Sequence, residues 1–348
     1  MPVKAIWRAL SAARLPGRME KNRHYQRGNS PPDTAKNRNL RERGRNMGKQ
    51  VYLVDTPVAT VWTSAQSPGA GDEEALRNPA NMKQWLTGLS LEQRHELWRK
   101  NKIQTQVLYG RKVIVHKTEG KWAYISVPEQ PSSKHPYGYP GWVPRCQLRQ
   151  GEEWPQDTAV CAIKKPFAML YDENQLPLFE VSFQTRFSVV DETKDRFVVK
   201  TVRGKTASLK KQDVQLKGSS PGSQGRHMLD AGKMFLGLPY LWGGMSGYGY
   251  DCSGFSYTMV LAATGRAIAR DAHEQAKGGT TVPLGSIAPG DLLFFAHEEG
   301  KGAIHHVGIY AGEGKLLHSP KTGRPVELLD MEGTIYEKEL CGARRYWM

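Results

Sequence analysis

The sequence predicts an α+β catalytic region preceded by two small β-barrels, and three observations lead to that class. Two stretches of about 60 residues each carry short period-two apolar runs punctuated by Gly and Pro. A segment rich in Ser and Gly follows at 217–225, with the composition of a linker. The final 123 residues then place helical patterns first and strand patterns second.

At 348 residues with 39% hydrophobic content, the chain is long enough for two or three packed domains. No run approaches the roughly 20 apolar residues that span a bilayer, so no integral membrane segment is expected. The first thirty residues lack the apolar middle of a secretory signal, which gives a cytoplasmic expectation. A different translation start, with Met47 a candidate, would leave a secreted or wall-associated protein open. The net charge of +15 is unevenly spread: residues 1–50 hold 13 Lys and Arg against Glu20, Asp33 and Glu42, a net +10. The basic excess therefore describes a tail over 1–49 whose composition predicts disorder. Only Trp7 and Tyr25 stand among its charges, too few for a stacking platform, so a nucleic-acid partner is not expected. Cys146, Cys161, Cys252 and Cys341 form no CxxC pair, which predicts free thiols.

The first barrel is assigned to 50–150, with a helical insertion. Val51 to Ser64 reads as one extended segment, followed by a helix around Met82–Thr87. Ser90 with Gln93 three residues on signals a capping box for a helix over Leu91–Lys100. Period-two runs at Lys112–His116 and Trp122–Val127 are strands. The second barrel, 151–217, shows the same pattern at Arg186–Val190, Arg196–Val202 and Asp213–Leu216. Both copies end on a Gln-Leu strand, Gln147-Leu148 and Gln215-Leu216. A linker is assigned to 218–225 and the catalytic region to 226–348.

That region opens with a predicted helix over Arg226–Leu236, ended by Gly237 and Pro239. A second helix follows Asp251-Cys252-Ser253-Gly254 and runs to about Thr264. Strands are predicted at Asp291–Ala296, Ile304–Ala311, Lys315–His318 and Ala343–Trp347. Cys252 falls in the first turn of its helix, where free backbone N–H groups and the helix dipole favour a thiolate. Gly312-Glu-Gly314 signals a tight hairpin. A turn centred on Gly312 makes His306 and His318 direct cross-strand partners. One imidazole can then take the Cys252 proton while the second orients it, a candidate triad of Cys252, His306 and His318. His305 points to the opposite face of its strand and is the alternative base. The same Cys and His atoms could hold zinc, but no HxxxH or CxxC element supplies a local scaffold, so no metal is expected.

Leu238-Pro-Tyr-Leu-Trp-Gly-Gly244, Asp251-Cys-Ser-Gly-Phe255, Pro289-Gly-Asp-Leu-Leu-Phe-Phe295, His306-Val-Gly-Ile-Tyr310 and His318 together resemble the ordered motifs of the papain-like NlpC/P60 cysteine peptidases. The likeness covers about 225–348. Gly138-Tyr-Pro-Gly-Trp-Val-Pro144 resembles bacterial SH3 domains, and the whole is most similar to gamma-D-glutamyl-L-diamino acid endopeptidases of the YkfC type. The resemblance implies Cys252 as nucleophile, His306 as base, His318 as orienting residue and Tyr240 beside the oxyanion. It implies a pocket for the free amino terminus of a cell-wall peptide, formed by Asp251, Ser253 and Asp271, with Tyr139 (or Tyr137) from the first SH3-like unit as its wall. Ala272 stands where the family commonly has a serine. No cofactor is implied, and the expected partner is a peptidoglycan-derived peptide. The alternatives are an exported hydrolase of intact peptidoglycan and an inactive SH3-type binding protein. A transferase or amidase on the same nucleophile also fits the motifs.

Overall fold

The computed structural model describes residues 50–151, 159–216 and 224–347; the basic tail over 1–49 and linker residues 217–223 lie outside the described residues. The first sheet is built from β1 (Gln50–Val54), β2 (Val58–Trp62), β3 (Ile103–Leu108), β4 (Lys112–Glu119), β5 (Trp122–Val127), β6 (Tyr139–Pro144) and β7 (Leu148–Gln150). Their order is β3-β2-β6-β5-β4-β1-β7. The single extended segment expected over Val51–Ser64 is two strands at different places in this sheet. Pro57 has no N–H to give a ladder, and Thr56 Oγ1 instead accepts from Ala80 N at 2.8 Å. Between β2 and β3 lie α1 (Glu73–Leu76), α2 (Met82–Gly88) and α3 (Leu91–Arg99). α3 starts on the expected capping box, Ser90 and Gln93 each accepting the other's backbone N–H. Trp85 and Leu97 from these helices pack with Trp62 in one buried cluster.

The second sheet comprises β8 (Val160–Ile163), β9 (Phe167–Tyr171), β10 (Pro177–Ser182), β11 (Arg186–Glu192), β12 (Arg196–Lys200), β13 (Thr206–Lys210) and β14 (Val214–Leu216). Its order, β10-β9-β13-β12-β11-β8-β14, repeats the first strand for strand. Neither sheet closes into the expected barrel, because β3 and β10 each lie at an open edge. Each of these strands is tied to the catalytic region by a polar side chain. Gln106 Oε1, on β3, accepts from Met245 N and Ser246 Oγ. Ser182 Oγ, ending β10, accepts from Gly247 N at 2.8 Å.

The catalytic region runs α4 (Gln224–Lys233), β15 (Met245–Ser246), β16 (Gly249–Tyr250), α5 (Cys252–Thr264), α6 (Ala272–Gln275), β17 (Thr280–Val282), β18 (Leu292–Ala296), α7 (His297–Gly300), β19 (Ile304–Gly312), β20 (Lys315–His318), β21 (Glu327–Asp330), α8 (Ile335–Glu339) and β22 (Leu340–Arg345). Helices precede a six-stranded antiparallel sheet of order β17-β22-β18-β19-β20-β21, the predicted α+β layout. The first helix ends earlier than expected, in a turn at Phe235, and the last strand ends on Arg345 rather than Trp347. Alternation splits the strands cleanly: Phe294, Val307 and Ile309 face α4 and α5, while Leu293, Phe295 and Leu316 face the other side. α5 is buried from Ser253 to Ala263, as a helix apolar all round must be. No described helix is long and apolar enough to cross a membrane.

Candidate active site

Cys252 is the first residue of α5, and Asp251 caps the helix by accepting from Gly254 N at 2.6 Å. The thiol is partly exposed and lies against Val307 of β19, the residue after His306. The helix start does not by itself produce the expected thiolate. Burial pushes the thiol up to about 12, and the Asp251 charge adds to this. The Val307 and Ser253 N–H groups and the Arg270 guanidinium pull in the other direction without overcoming it.

His306 Nε2 and His318 Nδ1 are 2.8 Å apart, so the two imidazoles meet as expected. Their register differs from the expected one. Ile309 pairs with Leu317 and Tyr310 with Leu316, which sets His318 across from Gly308 and makes His306 its diagonal neighbour. The tight turn is Glu313-Gly314, with φ of 52° and 74°, and a bulge at Ala311 absorbs the remaining residue. Gly308 is what lets the diagonal form, since a Cβ there would stand 2.9 Å from His318 Cβ and 2.7 Å from Leu316 Cδ1. Gly308→Ala should therefore displace His318 and lower kcat/KM on the order of 100-fold, the scale of a 1 Å misplacement. An unchanged rate in steady-state assay would show that the pairing tolerates the shift.

Behind His318 stands a residue that sequence reasoning missed. β21 pairs Glu327 with His318, and Glu327 Oε1 lies 3.3 Å from His318 Nε2, an ion-pair distance rather than a well-aligned hydrogen bond. With Nε2–H of His318 directed at this carboxylate, its Nδ1 is an acceptor, and His306 must donate from Nε2. That leaves His306 Nδ1 bare and able to take a proton. Burial, followed by His318 and His305, holds His306 well below the usual histidine range, and burial lowers His318 to about 4. The pair is neutral at neutral pH. His305 does not take the opposite face that alternation predicts: it is the extra residue of a bulge in β19, its ring lies 6.4 Å from that of His306, and its Nε2 is 3.0 Å from Glu339 Oε2.

Beside the thiol, Tyr240 is buried, and burial followed by the Cys252 charge holds its phenol protonated far above the usual range. Asp251 and Ser253 share a second missed residue, Arg270. Its Nη2 and Nη1 donate to the two Asp251 oxygens at 2.6 and 3.1 Å, Nη1 also donates to Ser253 Oγ at 2.8 Å, and Nε donates to Thr105 Oγ1 of β3 at 3.0 Å. Arg270 precedes Asp271 in the chain; a lone Arg beside an Asp was the available signal. Asp271 receives the Tyr139 hydroxyl at 2.9 Å and the Lys134 ammonium at 3.1 Å. Of the two tyrosines considered, Tyr139 is therefore the one at Asp271, whereas Tyr137 lies with the rings of His116 and His135. Loop 128–138 also docks through Pro131 O, which accepts from Arg270 N, and Ser133 N, which donates to Glu274.

A thiol at the head of a buried central helix, set against a strand that carries a polarised imidazole pair, defines a cysteine peptidase of papain-like layout. Residues 237–345 match the model of the NlpC/P60 family, and residues 163–216 match that of the YKFC SH3b2 domain. The chain is 45% identical over 295 residues to the gamma-D-glutamyl-L-lysine dipeptidyl-peptidase of Bacillus subtilis (strain 168), covering 85% of this chain and 98% of that one. It is 36% identical over 301 residues to the protein of that name from Bacillus cereus (strain ATCC 10987 / NRS 248), covering 84% and 90%. The crystal structure of an NlpC/P60 family protein from Bacillus cereus ATCC 10987 superposes with a TM-score of 0.80 at 35% identity, over 86% of this chain and all of that one. The chain belongs to the NlpC/P60 family of cysteine peptidases.

Proposed function

We propose that the chain hydrolyses the gamma-D-glutamyl-L-diamino acid bond of short peptides released from peptidoglycan, those that begin with a free L-Ala. The observation that carries this reading is the His306–His318 pair at 2.8 Å, with Cys252 at the head of α5 meeting the backbone of Val307, the residue after His306; Asp271, held by Tyr139 of the first sheet, supports the amine pocket. The names and coverage of the Bacillus relatives support the same bond.

In this mechanism, His306 Nδ1 accepts the Cys252 proton as the sulfur attacks the γ-carbonyl of D-glutamate. The oxyanion is met by the Cys252 N–H at the helix start and by the Tyr240 hydroxyl. The C–N bond then breaks, with His306 returning the proton to the departing amine. Water, deprotonated by His306, hydrolyses the thioester and restores the thiol. Asp251 and Ser253, set by Arg270, and Asp271 with Tyr139 form the pocket for the L-Ala ammonium. Glu327 keeps His318 in the tautomer that His306 needs. Glu327→Gln should lower kcat about tenfold with KM little changed; equal losses in both would make Glu327 a substrate-binding group.

The domain plan that accompanies this reading is the tail 1–49, an SH3-like unit at 50–150, a second at 151–217, a linker at 218–225 and the peptidase at 226–348. The shared strand order of the two sheets supports giving the first the same SH3-like descent as the second. The test of function is hydrolysis of L-Ala-γ-D-Glu-L-Lys against its N-acetylated form, with products identified by mass. Cleavage confined to the free-amine peptide supports the proposal. Equal cleavage of both removes the amine pocket from it, and cleavage of neither removes the substrate.

A further inference from the structure

At the bulge of β19 beside His306, three side chains converge that the peptidase chemistry does not use. His297, His305 and Glu339 each present one ligand atom, and these atoms all lie within 4.8 Å of one another. The two imidazoles stack with ring centroids 4.0 Å apart and planes 14° from parallel. His305 Nε2 is 3.0 Å from Glu339 Oε2. The three come from separate elements: α7, β19 and the end of α8. His297 is fixed by its backbone, its N donating to Ala303 O at 3.1 Å and its O accepting from Gly302 N at 2.8 Å. Glu339 is buried, so its carboxylate is held in place.

We propose that His297, His305 and Glu339 bind one divalent transition-metal ion of the zinc type, clipping the turn after β18 and the end of α8 onto β19. Two imidazoles and a carboxylate are a zinc donor set, and they leave a fourth position for water. Metal–ligand distances of about 2.0–2.2 Å separate ligand atoms by roughly 3.3 Å in a tetrahedral shell, so the widest pair draws in by no more than about 1.5 Å, and the exposed His297 ring must turn out of its stack on His305, because an imidazole ligates in its own ring plane. Magnesium and calcium select all-oxygen shells and do not match the two nitrogens. The ion would sit beside the base, the His305 and His306 rings being 6.4 Å apart between centroids.

The experiment uses the full chain carrying Cys252→Ala, so that the active-site thiol cannot take the metal, after treatment with chelator and its removal. Zinc is titrated by calorimetry, and cobalt(II) is followed by its visible absorption as a report on coordination. One equivalent is expected to bind, with affinity at least tenfold weaker when His297→Gln or Glu339→Gln is added. His297 is exposed, so its variant keeps the comparison valid even if Glu339→Gln unfolds, which circular dichroism would reveal. Absence of binding, or binding unchanged by His297→Gln, overturns the proposal and places any bound ion elsewhere. Neither result bears on which peptide bond the enzyme cuts.

Discussion

Replacing Arg270 with methionine is expected to destabilise the chain by about 3–5 kcal/mol, the cost of leaving one member of a buried ion pair uncompensated. The Arg270 side chain is 1% exposed and that of Asp251 9%, and the guanidinium also serves Ser253 and Thr105. Methionine fills much of the volume but offers no donor, so the Asp251 carboxylate is stranded while it still caps α5. Lysine should rescue little, since a single ammonium cannot meet both Asp251 oxygens as a planar fork does. Denaturant unfolding measures the loss. Adding Asp251→Asn should return part of it by removing the stranded charge, and a single variant within about 1 kcal/mol of the parent would show that Asp251 is not buried as an anion.

Cys252→Ala carries the largest effect on rate: hydrolysis should fall about 10,000-fold or more while peptide binding persists. In the proposed mechanism the Cys252 sulfur is the atom that attacks, and His306 has no other proton to collect at that position. Because the two act as one unit, His306→Ala should cost a similar amount and the double variant little more. Calorimetry with the uncleaved peptide separates binding from chemistry. Residual turnover within tenfold of the parent would move the nucleophile elsewhere.

Much of the site was legible in local sequence. Asp251-Cys-Ser-Gly marks a capped helix start, and Gly312-Glu-Gly314 between two apolar alternations marks a hairpin carrying both histidines. The register was not legible there, because a bulge at Ala311 is invisible to a period-two pattern and moves the turn to Glu313-Gly314. Glu327 was missed because β21, Glu327–Asp330, carries too little alternation to read as a strand. Arg270 and Lys134 act through contacts between distant segments, and neither propensity nor spacing encodes which carboxylate a buried cation will find. The tandem sheets were legible as a repeat, but the single polar side chains, Gln106 and Ser182, that tie β3 and β10 to the β15–β16 hairpin were not, because they too join distant segments.

Lys134 gives the proposed amine pocket an unusual resting state. Its ammonium lies 3.1 Å from Asp271 Oδ2, sits over the Tyr139 ring at 4.2 Å and donates to the Tyr139 hydroxyl and to Gln104. On that proposal, a peptide that presents its own ammonium to Asp271 would enter by ion exchange, one cation leaving as another arrives. The carboxylate is never stripped bare, and the net charge of the pocket is the same before and after. Affinity is then set by the difference between two ammonium ions rather than by the strength of either, and the displaced side chain, 41% exposed at rest, regains its freedom in water.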